Sequence, residues 1–211
     1  MRNRDGDKGM IRGYVIRHSM TESNASGRYA GKRTDENLSP EGISLCLDRI
    51  YPQTDVVYTS PMRRCIQTAG LLYRGKKPVI REHFAECDFG IFEGKNYIEL
   101  SDEPKYQEWI DSNGTLPFPG GESREEFQAR CLEGFSLCIE HCIQYQYRTF
   151  AMVVHGGTIM SILDGFAVPH RDYFDWQVKN LEGYEIETDE KQWVIGSHEI
   201  YIRKEGSDIW K

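Results

Sequence analysis

The stretch GYVIRHSMTESNASGRYAG, residues 13–31, decides how the rest of the chain is read. It opens as a short apolar strand, breaks at Arg17, His18 and Ser19, and runs on into a polar loop. A strand this apolar is buried on both faces, as in a parallel sheet covered by helices. A cation and an imidazole at its carboxyl end sit where open α/β sheets gather their ligands. Their partners must come from elsewhere in the chain.

Two further segments share the form. DVVYTS (55–60) and TFAMVVH (149–155) are short, rich in β-branched residues and bounded by polar punctuation, and each leads into a helical pattern. The alternation predicts an α/β fold: a three-layer α/β/α sandwich with a mostly parallel central sheet, and residues 84–121 as a small cap over its carboxyl edge. A first helix is expected from Pro40, N-capped by Ser39, with Ile43, Leu47 and Ile50 on its apolar face. A second is expected from Pro61 to about Tyr73, a long one from about Ser123 to about Tyr147, and another from Gly156 to Gly165. GYEIET (183–188) and WVIGSHEIYI (193–202) alternate like a hairpin or a sheet-edge pair. The whole length, 1–211, reads as one domain, with residues 1–11 a flexible lead and Met10 an alternative start.

A net charge of −7 argues against a general nucleic-acid binder, which needs a concentrated basic face. Any phosphorylated ligand must therefore be held by a local group of arginines. The charged opening, MRNRDGDKGM, lacks the apolar run of a signal peptide, and no stretch approaches the roughly 18 apolar residues of a membrane span. A cytoplasmic protein with no membrane partner is expected. Six cysteines scattered through apolar segments read as reduced, buried thiols. Cys138, His141 and Cys142 share one helical turn, but no second Cys/His pair has zinc-like spacing, so they read as core and no metal is expected. The oligomeric state is left open.

The three strands deliver a specific set to one edge: Arg17 and His18 from the first, Arg64 just beyond the second, and His155 followed by Gly156 and Gly157 from the third. Singly, each has a plain structural reading as a cap or a solvated charge. Together, two guanidinium forks, two imidazoles and a glycine-opened helix N-terminus suit the oxygens of a phosphate.

With these residues in view, the chain resembles the histidine phosphatase (phosphoglycerate mutase-like) superfamily from about Gly13 to Phe166. RHSMTESN (17–24) is similar to its R-H-G-x-T-x-x-N, RYAGKRTDENLSPEG (28–42) to the substrate loop and helix that follow, TSPMRRCIQTA (59–69) to S-P-L-x-R-A-x-Q-T-A, and VVHGG (153–157) to its second histidine element. The resemblance implies that His18 attacks phosphorus in line, giving a phosphohistidine intermediate. Arg17 and Arg64 then favour a neutral His18 and stabilise the transferring phosphoryl group, while His155, the Gly156 N–H and Asn24 add contacts to the phosphate. Glu86 in HFAECDFGIFEGK (83–95) matches the family's proton donor, with Glu93 as rival and Asp88 as structural. His83, close in sequence to Glu86, is a candidate for the pocket edge. Ser19 stands where the family usually carries glycine, and its side chain could crowd the phosphate or demand another backbone angle.

Mutases of this kind usually carry a longer insertion between the acid and the long helix. Its shortness here favours a phosphomonoesterase acting on a small phosphorylated metabolite, releasing inorganic phosphate and needing no cofactor. DFGIFEGK with FPGGES is most similar to the alpha-ribazole phosphatase branch, which implies alpha-ribazole 5′-phosphate as substrate and a place in cobalamin biosynthesis. A phosphoglycerate mutase and a non-catalytic phospho-ligand sensor are the alternatives. Phe92, Tyr97, Tyr106, Trp109 and Phe118 are read either as grip for the substrate or as the cap's own core.

Overall fold

A computed structural model describes residues 9–210. In chain order the elements are β1 (Met10–Arg17), α1 (Glu22–Ala25), α2 (Pro40–Leu47), β2 (Val56–Thr59), α3 (Arg63–Leu72), β3 (Val79–Ile80), α4 (Pro104–Asp111), α5 (Arg124–Tyr145), β4 (Thr149–Val154), α6 (Gly156–Phe166), β5 (Ala167–Val168), β6 (Gly183–Asp189), α7 (Glu190–Val194) and β7 (Ile200–Gly206). The strands form one sheet in the order β3-β2-β4-β1-β6-β7-β5. β1, β2, β3 and β4 pair in parallel, and so do β5 and β7; β6 runs antiparallel to both its neighbours, β1 and β7.

Strand side chains alternate across the sheet, and each face has its own core. Val15, Tyr58, Phe150, Met152 and Val154 pack on one face against Phe127, Phe135 and Ile139 of α5 and Ile159 and Ile162 of α6. Tyr14, Ile16, Val57, Ala151 and Val153 pack on the other against Cys65 and Ala69 of α3. That is the expected α/β/α layering. The long helix starts where Ser123 predicts, in a capping box with Glu126 that satisfies two backbone donors. It ends at Tyr145, because Gln146 turns left-handed at φ 58°.

Three expectations are corrected. Ser39 caps α2 as predicted, but Ile43, Leu47 and Ile50 are exposed; the buried residues are Gly42 and Cys46. α2 docks through the missing side chain of Gly42, where a Cβ would strike the backbone of Met20. Residues 193–202 are not one strand: Asp189 accepts from Lys191 N and Gln192 N and caps α7, so only Ile200 onward pairs, and its partner β6 lies inside the sheet. The flexible lead ends before residue 10, since Met10 pairs with Asp189 and Ile11 is fully buried; the rest of that expectation lies on residues 1–8, outside the described ones. All six cysteines are buried and unbridged. Among the described residues no helix is long and apolar enough to cross a membrane.

A short 3-10 turn, Glu82–Phe84, leads into residues 84–121, which carry a second at Gly90–Phe92 and α4. Phe92 and Leu100 are fully buried within this segment. It is tied to the loop after β1 by backbone bonds from Tyr29 N to Lys95 O, Gly94 N to Tyr29 O and Lys32 N to Cys87 O. The loop and the segment thus form one wall beside the carboxyl ends of β1, β2 and β4.

Candidate active site

His18 follows the last residue of β1 and is 3% exposed. Its Nδ1 lies 2.7 Å from Ser19 O, an atom that can only accept, so Nδ1 carries the proton and Nε2 the lone pair. Burial first, then Arg64 and Arg17, hold its pKa well below the ordinary histidine value. His155 follows β4 as the N-cap residue of α6, fully buried, with the two imidazole rings 5.2 Å apart and edge to face. Its pKa is likewise depressed, by burial and then by Arg64. Both rings are neutral bases at neutral pH.

The two arginines are fixed by carbonyl oxygens. Arg17 Nη1 donates to Val178 O at 2.8 Å, and Arg64, at the start of α3, donates through Nη1 to Thr34 O at 2.8 Å and through Nη2 to Ala30 O at 3.0 Å. Each keeps a buried Nε–H with no partner. Buried donors of a cation are rarely left unmade, because the desolvation is costly. A Cβ on Gly156 would lie 3.7 Å from Arg17 Nε, so the first turn of α6, which has no side-chain cap, opens beside that fork. Free guanidinium N–H groups beside a helix N-terminus suit an anion.

Glu86 completes the cluster. Its Oε2 is 3.5 Å from His155 Nδ1 and its Oε1 accepts from Cys87 N at 2.9 Å. Burial raises its pKa against the pull of Arg64, the Cys87 N–H, Arg17 and Arg130. Burial thus works against the charged form of both partners, the imidazolium of His155 and the carboxylate of Glu86. Glu93, the rival acid, is committed elsewhere: it accepts from Gly31 N, Arg33 N and Thr34 Oγ1 and so braces the loop whose carbonyls hold Arg64. Asp88 pairs with Arg33 and caps Gly90 N. His83 lies against α5, 3.9 Å from Glu133, and not at the pocket edge.

Ser19 is accommodated. Its backbone does not enter the positive-φ region, its N–H donates to Thr68 Oγ1 at 3.0 Å, and its hydroxyl turns to Gly42 O at 2.7 Å. Asn24 spends its Oδ1 on Thr21 N and on Asn180 Nδ2. Asn180, which no motif marks, also donates to His18 O at 2.9 Å and so pins the backbone at His18. Ser60, whose hydroxyl lies 2.8 Å from His155 Nε2, is a second residue missed by sequence reasoning; it stands inside TSPMRR and the spacing alone could have marked it.

The pocket continues past Glu86 and Gly157 into a cavity of about 260 Å³ walled mainly by aromatic side chains, Trp109 and Phe118 among them. Of the other aromatics read from the sequence, Phe92 belongs to the cap's core, Tyr106 packs against it edge to face, and Tyr97 is exposed and takes neither role. Among the described residues no group of three or more His, Cys, Asp or Glu side chains could hold a metal ion. Cys138 and Cys142 are core residues on α5.

The family model of the histidine phosphatase superfamily, branch 1, matches residues 14–200. The chain belongs to the histidine phosphatase superfamily. This member is 32% identical over 162 residues to a protein of Hydrogenobacter thermophilus provisionally named phosphoserine phosphatase 2, covering 73% of the chain and 77% of the relative. It is 27% identical over 173 residues to a broad-specificity phosphatase of Saccharomyces cerevisiae, covering 74% and 70%. A solved structure from Escherichia coli K-12, provisionally named an alpha-ribazole-5′-P phosphatase, superposes with a TM-score of 0.77 at 21% identity over 95% of this chain and 98% of that one, a likeness of fold. The chain is a histidine phosphatase superfamily enzyme.

Proposed function

We propose that the protein hydrolyses a small phosphomonoester through a phosphohistidine on His18. The observation that carries this reading is the meeting of an unprotonated His18 Nε2 with two buried, unpartnered Nε–H donors on Arg17 and Arg64. His18 Nε2 attacks phosphorus, and the P–O bond to the alcohol breaks in line. Arg17, Arg64 and the α6 N-terminus take the charge on the equatorial oxygens, where fixed donors stabilise the transition state more than the ground state. His155 is placed at the same oxygens; its Nδ1 faces Glu86 and its Nε2 the Ser60 hydroxyl, so one of these contacts gives way for its N–H to reach the phosphate. Asn24 and the Gly156 N–H add further contacts. Glu86, whose pKa burial raises, gives a proton to the departing alkoxide and then takes one from the water that hydrolyses the phosphohistidine. Inorganic phosphate leaves.

The short interval between Glu86 and α5 favours water over a second substrate as phosphoryl acceptor. Alpha-ribazole 5′-phosphate, which the Escherichia coli neighbour's name points to, is the candidate substrate we put first. Turnover of a phosphomonoester panel tests the reading. Wild type is expected to turn over esters, and His18→Ala to keep the fold and phosphate binding but lose turnover. Phosphate binding without turnover in the wild type would instead identify a sensor.

A further inference from the structure

The segment 178–182 lies against the carboxyl end of β1 and grips it from both sides of Asn180. Val178 O accepts from Arg17 Nη1 at 2.8 Å and Glu182 O from Arg17 N at 2.9 Å, while Leu181 N donates to Arg17 O at 3.1 Å. Leu181 does this fully buried and at φ 61°, a left-handed conformation that a bulky side chain rarely adopts. Such an outlier persists only where its surroundings over-determine it, and it raises the question of what the path of this segment serves.

Asn180 sits between these anchors. Its Nδ2 is 2.9 Å from His18 O, 3.1 Å from Asn24 Oδ1 and 3.3 Å from Ser19 O. Two of the three neighbours are carbonyl oxygens, which only accept, so the NH2 end of the amide is the end that faces the site. That orientation fixes two others. Ser19 O is the acceptor that keeps the proton on His18 Nδ1, so Asn180 holds the carbonyl that holds the imidazole. Asn24, facing the same NH2 and the Thr21 N–H, must present Oδ1 to them, and its own NH2 end is what remains for a ligand oxygen.

We infer that Asn180 is a positioning residue for both halves of the phosphate end: it steadies the nucleophile through His18 O and Ser19 O, and it turns the Asn24 amide so that its donors face the phosphate. The inference rests on the proposed phosphomonoesterase reading and deepens it. A reversed Asn24 amide would set a carbonyl dipole against the dianion, and a freed Ser19 carbonyl would let the His18 ring leave the line of attack. A residue that only stabilised the fold would produce neither effect selectively.

The test is a double-mutant cycle of Asn180→Ala and Asn24→Ala, read by the Kd for inorganic phosphate and by kcat/KM for p-nitrophenyl phosphate, whose leaving group needs little protonation. Each single variant is expected to weaken phosphate binding by about tenfold, the worth of a hydrogen bond to a charged group. The double variant is expected to lose no more than about twofold further, because Asn180 reaches the phosphate only through Asn24. On kcat/KM the two must separate. Asn180→Ala is expected to cost about tenfold more than Asn24→Ala, and the same tenfold remains when it is added to Asn24→Ala, since the hold on His18 is lost as well. Asn180→Asp keeps the shape but sets a carboxylate against three acceptors; it should exceed Asn180→Ala on both measures and carries the test if Asn180→Ala does not fold. Unchanged phosphate binding in the Asn180 variants, binding losses that add in the double variant, or equal kcat/KM for Asn180→Ala and Asn24→Ala overturns the inference and leaves the phosphatase reading intact. The expected binding pattern without turnover of any ester by the wild type upholds the hold on Asn24 and defeats the catalytic reading.

Discussion

The two ends of this cleft are built differently. At the phosphate end, Arg17, His18, Arg64 and His155 come from strand ends and one helix start, and three of them are clamped by backbone atoms, Arg17 by Val178 O, His18 by Ser19 O and Arg64 by three loop carbonyls, while His155 is held by the side chains of Ser60 and Glu86. At the leaving-group end, the wall is ring against ring, from segments as far apart as Tyr29 and Phe174, with few polar atoms. The first end is charged and, on the proposed reading, fitted to a shape every phosphomonoester shares. On the same reading, the second holds what differs between substrates. A fold can therefore keep one chemistry at the sheet edge while its cap changes the alcohol accepted.

If the contrast is real, damage at the two ends must read out differently. Glu86 stands at their junction, and Glu86→Gln is expected to lower kcat/KM for alkyl phosphates by about 10²–10⁴-fold, the usual worth of a general acid. Aryl phosphates, whose leaving groups need little protonation, should fall much less; equal loss on both would remove Glu86 from its role as acid. The pH profile follows from the same groups. Burial depresses His18 and His155, so their protonation closes the acid limb below the ordinary histidine value of about 6.5. Burial raises Glu86, so its deprotonation closes the alkaline limb above the ordinary carboxylate value, and Glu86→Gln should erase that limb alone. The same two imidazoles bind fewer protons folded than unfolded, so stability falls as pH drops below about 6.5.

A smaller effect isolates the phosphate end without chemistry. Inorganic phosphate at a hundred times its Kd should stabilise the wild type by about 2.7 kcal/mol, seen as a rise in Tm. Arg64→Gln should weaken phosphate binding by tenfold or more, about 1.4 kcal/mol of that rise for each factor of ten. An unchanged rise would mean that Arg64 Nε does not face the anion. The smallest effect is expected at Ser19. Its φ is not positive and its hydroxyl is spent on Gly42 O, so Ser19→Gly should change kcat/KM by no more than about twofold while costing about 1 kcal/mol of stability. A gain in kcat/KM above tenfold would show that the hydroxyl does crowd the phosphate.

The same contrast explains what could be read from the sequence. Arg17 with His18, Arg64 inside TSPMRRC, and His155 before Gly156 are contiguous with the strands or helices that carry them, so local pattern and the rule for strand ends place them together. The aromatic wall has no period, because its members lie on loops and on helices of different registers; only the contacts separate Trp109 and Phe118, in the wall, from Phe92, in the core. Asn180 acts on His18 from 162 residues away, beyond any local signal. Ile43, Leu47 and Ile50 misled because helical spacing marks a stripe without saying what will cover it, and the backbone-to-backbone approach at Gly42 turned that stripe outward.

The central claim is a covalent phosphoryl group on one imidazole. Rapid acid-free quench of the wild type during turnover, followed by peptide mass spectrometry, reads it directly. The prediction is a phosphohistidine on the peptide carrying His18, stable to alkali and lost in acid, and absent from His18→Ala. A phosphoryl group on any other residue, or turnover at wild-type rate by His18→Ala, would contradict the account.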